Sequence, residues 1–140
     1  MTDATQDAAA VLERLHREAP GAEPVVLESL GPPEADAPAD ALDFLFRRLQ
    51  VRFHEVVDEA RESWGTPHFL GSVEDDAFPL WSDALVLATW WRGDVVAYLA
   101  VRHEAEGAPL TLEAGAHGRD EIEQLQSWQA PVPGGLRGGE

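Results

Sequence analysis

Cysteine is missing from these 140 residues, and so is lysine. The first absence removes disulfides, thiolate nucleophiles and cysteine-type zinc sites together, so a metal would have to be held by His, Asp and Glu. The second leaves arginine as the entire basic complement. Ten basic residues stand against 26 acidic ones, a formal net charge of -16. With the abundance of Ala, Gly and Pro, this composition looks like the coding bias of a high-GC bacterial genome. Long apolar runs are also absent: nothing approaches the roughly 18 consecutive apolar residues of a membrane span. The opening MTDATQDAAA lacks the basic-then-apolar order of a signal peptide. A cytoplasmic protein with no membrane partner is therefore expected.

So negative an exterior repels phosphate backbones and anionic lipid, and it attracts basic proteins and speeds their encounter. Nucleic acid is thus not an expected partner, whereas another protein of basic character is. The 44% hydrophobic content against 26% charged is that of a globular chain with one core. A single domain over residues 1–130 is expected, with a flexible tail at 131–140, where PVPGGLRGGE has linker composition.

Residues 1–19 carry an apolar stripe of Ala8, Val11, Leu12, Leu15 and Ala19, a helix with Asp7 or Thr5 placed to cap it. Residues 20–40 read as an acidic, proline-rich connector whose one apolar patch, Val25 to Leu27 with Leu30, can pin a short strand or turn to the core. From 41 to 64 the periodicity is strongest: Leu42, Leu45, Phe46, Leu49, Phe53, Val56, Val57, Ala60 and Trp64 recur at steps of three and four. This predicts a long amphipathic helix capped by Asp40 and closed at Gly65-Thr66-Pro67.

Residues 66–83 read as an irregular loop packed down by Phe69, Leu70, Phe78 and Trp81. ALVLATWW and VVAYLAVRH flank the turn Arg92-Gly93-Asp94 and predict a hairpin, with PLTLEAG at 109–115 as the next strand. A last helix is expected over 119–129. The fold class that follows is α+β: an antiparallel meander of three to five strands packed against the long helix, with helices at both ends and covering one face.

Chemistry-bearing patterns are few. No serine sits in a Gly-x-Ser-x-Gly turn, and the paired glycines near the C-terminus precede no helix that could present its N-terminus to a phosphate. No cofactor is expected. On the long helix, His54, Glu55 and Asp58 echo the helical zinc motif in which two ligands four residues apart flank a Glu, with His68 as a third ligand. That pattern carries the alternative reading, a metal-dependent hydrolase with Glu55 as general base.

The favoured reading is a non-catalytic binding module. Opposite the core stripe, Phe44 and Val51 stack seven residues apart among Arg47, Arg48 and acids. Five tryptophans are many for this length, and such residues are over-represented where proteins grip one another. Trp90 and Trp91 must point to opposite faces of their strand. An open outer face would group Trp90 with Val86 and Tyr98, leaving Trp91 with Phe53 and Trp64 to line any pocket under the helix. The predicted binding surface is accordingly Phe44, Arg47, Val51, Trp90 and Tyr98. Trp64-Gly65-Thr66-Pro67, the tryptophan-rich hairpin and Pro109-Leu110-Thr111-Leu112 together resemble small actinobacterial proteins, some of which are themselves similar to immunity proteins of polymorphic toxin systems. The resemblance covers under half the chain and carries over no functional residue. What it implies is an acidic inhibitor of a basic toxin or nucleic-acid enzyme.

Overall fold

The long amphipathic helix organises the molecule. In the computed structural model, which describes residues 7–34, 36–79, 81–105 and 107–129 (126–129 by backbone alone), α2 runs Ala41–Trp64 and buries Leu49, Phe53, Val56, Val57, Ala60 and Trp64. Leu42, Leu45 and Phe46 complete its stripe at the edge of the same core. The helix stops at Gly65, whose φ of 82° is one that L side chains rarely adopt, and the Gly65 amide closes the last turn on the Arg61 carbonyl. Asp40 holds the N-cap position, but its side chain makes no capping bond.

Ahead of α2 lie α1 (Ala8–Glu18) and β1 (Val25–Leu30); after it come β2 (Phe69–Ser72), β3 (Val86–Arg92), β4 (Val95–His103), β5 (Leu110–Gly118) and α3 (Arg119–Gln129). Asp7 caps α1 by accepting from the Ala9 amide at 3.1 Å. The five strands form one antiparallel sheet in the order β1-β5-β4-β3-β2. Four consecutive strands make a meander, and β1 adds to its far edge beside the last strand. The tail expected at 131–140 lies outside the described residues.

Two features depart from the sequence reading. The stretch expected to be irregular contains β2, which pairs Phe69 to Ser72 with Thr89 to Val86. The helices, expected on one face, divide between the two. α1 and α2 cover β4 and β5 on one side, while Ile122 and Leu125 of α3 pack on the other with Trp81, Leu87, Val96 and Tyr98. Both faces of the central strands are therefore buried, which is why β3 and β4 read as nearly continuous apolar runs.

Candidate functional site

The registry of β3 against β4 decides the fate of the tryptophans. Trp90 pairs with Ala97 and Trp91 with Val96, and directly opposed residues share a face. Ala97, Leu99 and Val101 point to α2, so Trp90 and Val86 do too. Trp90 is 1% exposed, and its indole N–H donates to the Gly65 carbonyl at 2.8 Å, tying β3 to the end of α2. Tyr98 lies on the opposite face with Trp91. The expected patch of Trp90, Val86 and Tyr98 thus does not form. Nor does a pocket of Phe53, Trp64 and Trp91, because Trp91 is on the other side of the sheet from the first two.

Tyr98 belongs instead to an aromatic group beneath α3. Its ring stacks on His117 at 5.3 Å and tilts against Trp81 at 5.6 Å, while Trp81 meets His117 edge-on at 5.5 Å. Gly115 opposes Tyr98 in the β4–β5 ladder, and a Cβ there would collide with the tyrosine ring and hydroxyl, so only glycine lets the ring lie across β5. Burial and the nearby Glu113 push the Tyr98 hydroxyl up to about 12. Burial lowers His117, and the weaker pull of Glu121, 3.9 Å away, does not reverse it. Beside these rings Arg102 donates twice to Asp83, at 3.0 and 2.9 Å, and reaches the buried Glu113 at 3.4 Å. Thr111 donates to the other Glu113 oxygen at 2.7 Å. The hydrogen bonds to Asp83 raise the Arg102 pKa further. Trp81, Asp83, Tyr98, Arg102 and His117 bound a hollow of about 220 Å³, in which the charges of Asp83 and Arg102 already pair with each other.

The metal-binding residues of the alternative reading are not assembled. His54 and Asp58 both lie on exposed α2 surface, where Asp58 stands 4.0 Å from Arg61. His68 is committed elsewhere, its Nδ1 accepting the Trp91 amide at 3.1 Å. Among the described residues no three His, Cys, Asp or Glu side chains converge as a metal ligand set.

The outer strip of α2 is open. Phe44 and Val51 are 62% and 61% exposed, and Arg47 lies beside them on the same surface. Arg48 sits over the Phe44 ring at 6.0 Å.

A second feature of α2 escaped the sequence reading. Between this helix and β2 run two adjoining hollows of about 400 and 300 Å³ that share Gln50, Ser72 and Val86. The floor is apolar, with Phe46, Phe53, Leu85 and Leu110, and Leu70 and Val73 stand exposed at the β2 side, 43% and 54% accessible. Its ionisable groups are Asp43, Glu74 and Asp75 with His54 and His103; no arginine lines it among the described residues. Asp75 also accepts the Ser72 amide at 2.8 Å and so caps part of the outer edge of β2. The acidic run Glu74-Asp75-Asp76 following apolar Leu70 and Val73 was a visible sign; the groove needs β2, which the sequence reading lacked.

Comparison with protein-family models, with curated proteins and with solved structures returns no match to this chain. No helix among the described residues is long and apolar enough to cross a membrane.

Proposed function

We propose that this chain is a non-catalytic protein-binding module that takes a basic, amphipathic segment of a partner into the groove between α2 and β2. The observation that carries the reading is the pairing of an apolar floor with a rim whose formal charges, among the described residues, are carboxylates alone, on a chain of net charge -16. The apolar floor supplies area to bury, and the field of the whole molecule steers cationic surfaces toward it. An apolar strip flanked by Arg or Lys is the complement. The most concrete partner is the basic active surface of a toxin or a nucleic-acid enzyme, which an acidic inhibitor would mask.

The test is a titration of the full chain with amphipathic peptides of leucine and arginine, read by amide chemical shifts. Binding should perturb residues 46–54 and 70–75, weaken as salt screens charges over a Debye length of about 10 Å at 0.1 M, and be lost in Leu70→Arg. Peptides in which glutamate replaces arginine should not bind. Equal binding of both peptide sets, or perturbations elsewhere, would remove the basis for the reading.

A further inference from the structure

The exposed strip on α2 has an order of charge that the groove does not explain. Reading outward from Val51, the cations Arg47 and Arg48 lie toward the N-terminus, and the carboxylates Glu55 and Asp58 lie toward the C-terminus. At 1.5 Å per residue, the arginines sit about 4.5–6 Å before Val51 along the axis and Glu55 about 6 Å after it. All five residues are exposed. Arg47 and Arg48 have no carboxylate partner among the described residues, although the chain carries far more acid than base. Glu55 accepts one bond from Arg52 at 3.2 Å and Asp58 is only loosely paired at 4.0 Å, so both can take a second cation.

A strip with this order is complementary to itself when turned end for end. We propose that the outer face of α2 is a homodimer surface, with two copies packed antiparallel about a two-fold axis at Val51. The valines meet at the centre and Phe44 closes each end. Arg48 of one copy faces Glu55 of the other, and Arg47 points toward the Asp58 side. One interface contains each pair twice, as an isologous contact must. A parallel pairing would set arginine on arginine. An apolar partner of another kind would leave both arginines without carboxylates, which is why the second copy is the fitting occupant. Two chains of -16 repel, so the association is a reversible one seen at high protein concentration.

Sedimentation equilibrium of the full chain over a concentration series tests this. The wild type should show a monomer–dimer equilibrium, and Val51→Asp, an exposed substitution that leaves the core untouched, should be monomeric with an unchanged circular dichroism spectrum. Arg48→Glu alone and Glu55→Arg alone should each weaken the dimer on the order of 10–100-fold, because each sets like charges face to face. Mixing the two variants should restore a one-to-one heterodimer, in which both crossed pairs have opposite charge. A wild type that stays monomeric throughout the series overturns the proposal. So does a dimer indifferent to Val51→Asp, or a mixture that fails to pair. Peptide binding in the α2–β2 groove should persist in Val51→Asp, so the two proposals can fail separately.

Discussion

Trp90 and Trp91 are chain neighbours with opposite surroundings. Trp90 enters the larger core beneath α1 and α2, among Phe53, Val57, Leu99 and Leu112, with its one polar atom bonded to Gly65. Trp91 faces the α3 side, partly buried, with the Arg119 guanidinium 5.0 Å from its ring. The same contrast runs through the whole sheet. On the α1 and α2 side the buried strand residues are small or aliphatic apart from Trp90, and the polar groups lie toward the rim. There Arg92 lies 3.3 Å over Trp64 and bonds Glu13 of α1 at 3.0 Å. On the α3 side, Thr89, Glu113, Tyr98 and His117 are set into the face itself. One face is held by area removed from water; the other depends on polar groups finding one another.

The largest expected effect breaks that contrast at its centre. Trp90→Ala should cost about 3–5 kcal/mol in urea unfolding, the range for a fully buried aromatic truncated to alanine. Trp91→Ala, the same change one residue along, should cost only about 1–2 kcal/mol, since that side chain is only partly buried in the native state. Equal losses would mean that the two faces contribute alike.

Alternation along each strand was legible, and so was the stripe on α2, because both follow from the period of the backbone. What could not be read was how strands mate. Val95, Ala97, Leu99 and Val101 were correctly separated from Val96, Tyr98 and Ala100, but the strand-to-strand offset that puts Trp90 opposite Ala97 is set by the two-residue turn at Gly93-Asp94. A shift of one residue moves every side chain to the other face. Phe69 to Ser72 failed for another reason: four residues with a glycine carry too little alternation to announce a strand, and the groove went unseen with it. That Phe44 and Val51 point away from the core stripe was readable from helical phase alone, since it depends on no partner strand; that neither α1 nor the connector covers them was not.

A middle-sized effect tests the polar face. Arg102→Gln removes the cation from Glu113, which is buried and retains the Thr111 hydroxyl as its remaining donor. An under-satisfied buried carboxylate should lower stability by about 1–3 kcal/mol. Asp83→Asn weakens the tie to the nearer of the two mostly exposed partners of the same arginine, Asp83 and Glu104, and should cost no more than about 1 kcal/mol. Chemical denaturation of both variants decides whether the arginine stabilises chiefly through the buried acid or through the exposed one.

The smallest effect is a dependence on pH. His117 lies below its ordinary value of 6.5 in the folded protein because burial disfavours the imidazolium. Its Nδ1 is buried without a hydrogen-bond partner, which fits a ring kept neutral. Between that lowered value and 6.5, the unfolded chain binds a proton that the native state does not, so stability rises with pH across this window and falls as pH drops through it. Below the folded value the loss levels off. Other groups titrate in the same range, and protonating some of the 26 acids relieves self-repulsion on this chain, an opposing trend. The clean quantity is therefore a difference. His117→Phe keeps a ring against Tyr98 and Trp81 and removes the titration. The stability of the wild type relative to this variant should decline between about pH 7.5 and about pH 5. If the difference stays constant across that range, the imidazole is not held neutral by burial, and the α3 face is wetter than the packing of its three rings implies.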